Sequence, residues 1–151
     1  MSNKISNELY DQILENIPIC CVDIIVSHNG KVLLIHRKEE PAKDKWWVVG
    51  GRILKGEKFI EAVKRKVKEE VGLEIEVEKR VGVYELIFEQ GDSLEVRDGT
   101  HAVTIVYLVK PSKEQDIKID ATSSDHKWIN GIEEDLDPYI KQILKDSEVF
   151  D

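Results

Sequence analysis

From Ile19 to Val26 nearly every position is apolar and most are β-branched, reading Ile-Cys-Cys-Val-Asp-Ile-Ile-Val. Such a run predicts a central strand covered on both faces. Pro18 opens it, and His28-Asn29-Gly30 closes it with an Asn-Gly hairpin signal. The partner strand is then Lys31 to Arg37, with Val32, Leu33, Leu34 and Ile35 inward. Before the run, Ile5 to Ile17 has the spacing of a short amphipathic helix. After a charged loop, Lys38 to Lys45, the residues Trp46-Trp47-Val48-Val49 predict a short strand that delivers Gly50-Gly51. The tryptophan pair reads first as core, and second as a wall for a base or sugar.

The pattern changes period at Glu57. Phe59, Ile60, Val63, Val67 and Val71 recur at helical spacing, and Gly72 ends the helix. Leu73 to Val77 returns to strand, Glu78-Lys79-Arg80 interrupts it, and Val81 to Phe88 resumes it. Glu89 to Gly99 is polar with turn signals at Gly91-Asp92-Ser93 and Asp98-Gly99, which predicts a flap beside a site. His101 to Val109 is another buried strand, Lys110 to Ser124 a hydrophilic excursion, and Asp125 to Ile129 a short strand. Gly131 to Asp146 predicts a closing helix with Leu136, Ile140 and Leu144 inward. Strands broken by one internal and one terminal helix predict an α/β (α+β) chain with a mixed sheet between helices. The 151 residues suffice for one domain with a real core, spanning 1–151.

Charge narrows the function. With 22 basic and 30 acidic side chains, the net charge of −8 argues against a general nucleic-acid binder. An acidic protein that handles phosphates must place its Arg and Lys locally and use metal ions. Met1 to Glu8 is mostly polar and no apolar run approaches membrane-spanning length. The expectation is a cytoplasmic protein with no signal peptide and no membrane partner. Cys20 and Cys21 are adjacent in a strand, so their side chains point to opposite faces and are read as reduced packing residues.

The chemistry gathers on the predicted helix. Lys66, Glu69 and Glu70 lie on an arc beside the apolar stripe, with Arg65 four residues before Glu69. Two adjacent carboxylates facing a glycine loop suit a hard cation such as Mg²⁺. The same residues also read as a solvated charged face with i,i+4 pairs. Spacing weighs against that second reading. Gly51, five residues, Glu57, seven residues, Arg65, then Val67, Glu69-Glu70, Gly72 and Leu73 resembles the Nudix box. That pattern is Gly-x5-Glu-x7-Arg-Glu-U-x-Glu-Glu-x-Gly-U, with U a bulky aliphatic. Lys66 is the one departure, standing where the pattern has Glu.

The resemblance implies an α/β/α sandwich, a Mg²⁺ or Mn²⁺ ion, and hydrolysis of a nucleoside diphosphate linked to another moiety. A nucleotide sugar or a nucleoside triphosphate would be the small-molecule substrate. It implies catalysis by Glu57, Arg65, Glu69 and Glu70, with metal at the Gly51 carbonyl, Glu69 and Glu70. Glu57 is either an occasional metal contact or a partner of Arg65. Arg65 orients carboxylates or touches substrate. Arg37, Arg52 and His101 are candidate phosphate or sugar contacts. Each arginine reads equally as an exposed solubilising charge, and His101 as a ring bonded to backbone. Lys66 places an ammonium within reach of both Glu69 and Glu70, so it is expected to stand in for one cation of a multi-metal site.

A narrower resemblance is to the GDP-mannose mannosyl hydrolases, which also lack that Glu. It rests on Pro18 through Arg52, including Arg37, Pro41-Ala42, the Trp-rich strand and Gly-Gly-Arg, and on Thr100-His101. Those enzymes attack the sugar carbon with a histidine several residues before the Trp that matches Trp128. Here those positions read Thr122-Ser123-Ser124, and serine is a poor general base at neutral pH. Asp125, His126, Glu95 and Asp98 are the available substitutes. A third reading is a non-catalytic nucleotide sensor. A homodimer through the apolar strands and Ile5 to Ile17 is the oligomer expected.

Overall fold

The structure is a computed structural model that describes residues 5–39, 42–88 and 99–151. In chain order the elements are α1 (Asn7–Asn16), β1 (Ile19–His28), β2 (Lys31–Arg37), β3 (Trp46–Trp47), β4 (Val49–Arg52), α2 (Phe59–Val71), β5 (Ile75–Phe88), β6 (Thr100–Pro111), β7 (Ser123–Ile129) and α3 (Pro138–Ser147).

The apolar run at Ile19 becomes the central strand. β6 pairs with one edge of β1 in parallel, Ile19 to Val26 against Ala102 to Val109. Its other edge is shared. β4 pairs antiparallel with Cys21 to Ile24, while β2 pairs with Ser27 and His28 across the hairpin. Asn29 and Gly30 take φ of 53° and 74°, the left-handed pair a two-residue hairpin turn requires. β2 then carries β7 along one edge and β3 at Ile35 and His36, and β5 closes the far side of β6. The sheet is therefore mixed.

Alternation along the strands sorts two cores. Val22, Ile24 and Val26 meet Ala62, Val63, Val67 and Val71 of α2 on one face. Ile25, Val32 and Leu34 meet Ile140, Ile143 and Leu144 of α3 on the other. This is the expected α/β/α sandwich.

Five sequence readings differ from the structure. Trp46 to Val49 is not one strand but parts of two, β3 on β2 and β4 on β1, and Gly50 and Gly51 lie within β4 rather than in a loop, because β2 leaves that edge of β1 open to β4. The closing helix begins at Pro138, with Gly131 to Leu136 outside it, although Leu136 is buried as expected. Proline fits the first helical turn and disfavours a helical residue before it, so Asp137 becomes the cap and accepts from Tyr139 N at 2.9 Å. The two strands around Glu78-Lys79-Arg80 are one 14-residue strand, β5. Register shifts between Val77 and Lys79 and between Arg80 and Gly82 absorb the irregularity. Of the predicted stripe on α2, Val63, Val67 and Val71 are buried but Phe59 and Ile60 are exposed. At about 100° per residue both point along the buried arc, so their place in the first turn, past the packed length, exposes them. Finally, Cys20 is exposed and Cys21 half-buried, on opposite faces as expected but not packed in a core. Most of the predicted flap, 89–98, lies outside the described residues. Among the described residues no helix is long and apolar enough to cross a membrane.

Candidate active site

The helix arc explains the site's central residue. At about 100° per residue, Glu70 falls in the middle of the arc defined by Ala62, Val63, Val67 and Val71. It is accordingly 2 % exposed, a carboxylate in an apolar face rather than on the flank beside it. Its Oε2 accepts a hydrogen bond from Gly50 N at 3.1 Å, which ties α2 to the glycine pair of β4. Burial pushes the Glu70 carboxyl up to about 7, against the pull of the Lys66 charge and the Gly50 hydrogen bond. The excursion after β6 closes the helix end, with Asp120 N donating to Glu70 O and Lys118 N to Val71 O. Gly72 caps α2 in the left-handed conformation, φ 74°.

Close approach dictates Gly50, and Gly51 leaves room for a lysine. A Cβ on Gly50 would overlap the Asp23 carboxylate, and one on Gly51 would lie 2.6 Å from Lys66 Cε. The Lys66 stem thus runs over Gly51. Its ammonium reaches Glu69 Oε2 at 3.5 Å and Glu70 Oε2 at 3.8 Å.

Glu57 and Arg65 form a bracket on the flank of this site. Arg65 donates to both oxygens of Glu57, at 2.6 and 3.0 Å, to Glu69 at 3.2 and 3.3 Å, and to the Arg52 carbonyl at 2.9 Å. Glu57 also accepts from Leu54 N at 3.0 Å. The Arg65 guanidinium holds the Glu57 carboxyl below the usual carboxylate range. In this arrangement Glu57 is bonded to Arg65, and Arg65 ties the helix to the end of β4 at Arg52.

A cleft of about 650 Å³ opens beside these groups. Gly50, Gly51, Lys66, Glu70, Arg37 and Arg52 line one part of it. Arg37 stands close enough to lower the pKa of both Asp23 and Glu70. The Arg52 guanidinium lies 5.5 Å from the Tyr10 ring centroid, so α1 supplies a rim although none of its residues is buried. Trp47 and Phe88 also line it, with ring centroids 6.0 Å apart. The tryptophan pair therefore divides. Trp47 is core and cleft wall together, while Trp46 packs on His36 and under the Lys127 ammonium.

His101 is the predicted contact that the fold does not bring there. Thr100, Ala102 and Thr104 of β6 line the cleft, so alternation turns His101 to the other face of the sheet, where it lies 3.4 Å from Glu85. His126 borders a separate recess with His28 and Trp128. None of the chain's four histidines lines the cleft.

Asp23 is the cleft residue that the sequence reading passed over. It is buried, and it accepts from Tyr139 Oη at 2.5 Å. Its signal was present: a lone carboxylate inside the most apolar run of the chain. Burial raises its carboxyl to about 6, against hydrogen bonding from Tyr139. A raised folded pKa means the native state holds its proton where the unfolded chain has lost it. Stability from this group is complete below the ordinary carboxylate range and falls as pH rises towards 6. Asp23→Asn is therefore expected to flatten the stability profile between about pH 4 and 6 and to be the more stable form at about pH 8. Urea midpoints across that range measure it, and an unchanged slope would contradict it. Cys21, also in the cleft, has its thiol pushed up to about 12 by burial, which removes it as a nucleophile at neutral pH.

The donor set was tested against a divalent cation. Among the described residues no three Asp, Glu, His or Cys side chains converge on one point. Arg65 bonds Glu57 through two nitrogens and Glu69 through one. Two carboxylates, Glu69 and Glu70, remain beside the glycine pair. That set fits one Mg²⁺ or Mn²⁺, an ion commonly held by one or two carboxylates and completed by water and substrate phosphates.

Residues 19–144 match the NUDIX domain family model. The low-salt glycan biosynthesis protein Agl8 of Haloferax volcanii is 30% identical over 143 residues, covering 95% of this chain and 90% of that protein. The ADP-ribose pyrophosphatase of Methanocaldococcus jannaschii is 38% identical over 93 residues, 61% of this chain and 50% of that one. In fold, the crystal structure of the MutT NUDIX hydrolase from Burkholderia pseudomallei superposes with a TM-score of 0.67 at 22% identity, over 85% of this chain and 97% of that chain. The helix, its glycine pair and these likenesses agree: the chain belongs to the Nudix family of hydrolases, which act on nucleoside diphosphate derivatives.

Proposed function

We propose that the protein is a Mg²⁺-dependent hydrolase that cleaves a nucleoside diphosphate derivative at phosphorus. The observation that carries this reading is the convergence of Glu70, Lys66, Arg37 and Arg52 on one cleft that Trp47 and Phe88 also line. A diphosphate resists water because its oxygens are anionic and repel nucleophiles. Arg37, Arg52 and Lys66 offset that charge, and Trp47 and Phe88 offer an apolar surface to the rest of the ligand. Glu69 and Glu70 would hold the cation, with the Gly51 carbonyl beside them. Bound there, the ion would polarise phosphoryl oxygen and lower the pKa of a coordinated water. Arg65 and Glu57 act as positioning residues. They fix the loop after Gly51 against α2 and aim Glu69.

In the net reaction water adds to one phosphorus and the bridging phosphorus–oxygen bond breaks. A nucleoside monophosphate and a second phosphorylated product leave, with a proton released to solvent. The relative named as an ADP-ribose pyrophosphatase supports a diphosphate joined to a sugar as the substrate class. Splitting at the sugar carbon is the weaker reading, because His126 and Asp125 do not line the cleft and no other histidine does; Glu95 and Asp98 lie outside the described residues.

Incubation with a panel of nucleotide sugars, ADP-ribose and nucleoside triphosphates tests the proposal. Turnover of at least one member with Mg²⁺, abolished by EDTA, is the expected result. Nucleotide binding without turnover of any member would replace the hydrolase with a sensor.

A further inference from the structure

Lys66 is more than an absent carboxylate. Its side chain is only 18 % exposed and its ammonium stands between the two candidate ligands, 3.5 Å from Glu69 and 3.8 Å from Glu70. The Lys66 stem lies in the space a Gly51 side chain would fill. The glycine leaves room for the stem to run across the β4 backbone with the ammonium between the two carboxylates. A positive charge is thus built into the carboxylate pair on the cleft side.

The consequence follows from charge. Glu69 and Glu70 carry two negative charges when ionised, and the ammonium offsets one of them. A first divalent ion adds two positive charges. A second would face that ion, the ammonium and the Arg65 guanidinium, and Glu57 is turned away from it onto Arg65. Phosphate oxygens arriving at the same place would be met by the ammonium directly. We propose that Lys66 takes the place of one divalent cation, so that this site holds a single Mg²⁺ and meets the substrate diphosphate with its own charge.

The inference rests on the hydrolase site described above, but its test reads no turnover. Mn²⁺ bound to the protein is counted by electron paramagnetic resonance, with and without methylenediphosphonate, whose own Mn²⁺ binding is subtracted. Crystals soaked in Mn²⁺ locate the ions by anomalous scattering. The wild-type protein is expected to bind one ion beside Glu69 and Glu70. Lys66→Glu is expected to bind two. Lys66→Met keeps the stem over Gly51 and removes the charge, so it binds the first ion about tenfold or more tightly. It also decides the matter if Lys66→Glu does not fold. Two ions beside Glu69 and Glu70 in the wild-type protein would overturn the inference. So would wild-type number and affinity in every folded variant. Ion counts as expected in a protein that hydrolyses nothing would sink the hydrolase reading and leave this one standing.

Discussion

Replacing Glu70 by Gln is expected to cut turnover about a thousandfold while the domain stays folded. Glutamine keeps the shape and the acceptor for Gly50 N, so the link between α2 and the glycine pair survives. What it removes is the negative charge. That charge sits in an apolar face, where burial already resists ionisation, so nothing in the packing explains its presence. On the proposed reading this buried carboxylate, in a cleft lined by two arginines and a lysine, holds the cation. The melting temperature of Glu70→Gln in chelator at neutral pH should equal or exceed that of wild type. Mn²⁺ affinity should fall with kcat. A variant that melts early and turns over normally would instead make Glu70 a packing residue.

Removing Arg65 should act mainly on stability. Its guanidinium satisfies both oxygens of a Glu57 whose side chain is 12 % exposed, and it also holds the Arg52 carbonyl and Glu69. Arg65→Ala strands these groups together, at about 2–3 kcal/mol, or roughly 5–10 °C in melting temperature. Arg65→Lys restores the charge without the planar fork and should recover less than half of the loss. The double variant with Glu57→Ala should be scarcely less stable than Arg65→Ala alone, since the second change removes the stranded carboxylate. Additive losses in that cycle, measured by urea denaturation, would show that the two side chains act separately.

The local signals carried most of the architecture. The β-branched run at Ile19, the Asn29-Gly30 turn and the cap at Gly72 each depend on a few neighbouring residues, and each is found where expected. The box spacing likewise put Glu69, Glu70, Lys66 and Gly51 together, because helix pitch fixes their relation. What escaped depends on tertiary partners. His101 is a candidate through the Thr100-His101 resemblance, but the pairing of β6 with β1 and β5 decides which face it takes. The sequence reading sets Glu70 on the flank of the apolar stripe, although at about 100° per residue it falls between Phe59 and Val63, inside that stripe. Asp23 was absorbed into a strand whose other residues all argued for core. Its role needs Tyr139, 116 residues away, and the bare backbone of Gly50 to become visible. The start of α3 was misjudged because the apolar spacing runs through Leu136, while Pro138 sets the boundary.

The central claim is attack at phosphorus in a cleft that no histidine lines. The most direct measurement runs the reaction in heavy-oxygen water on whichever nucleoside diphosphate derivative is turned over, and weighs the products. The account predicts label on the nucleoside monophosphate or on the phosphate of its partner product, with the sugar carbon untouched. Label on a free sugar, with unlabelled nucleoside diphosphate, would contradict it and move the reacting atom from phosphorus to carbon.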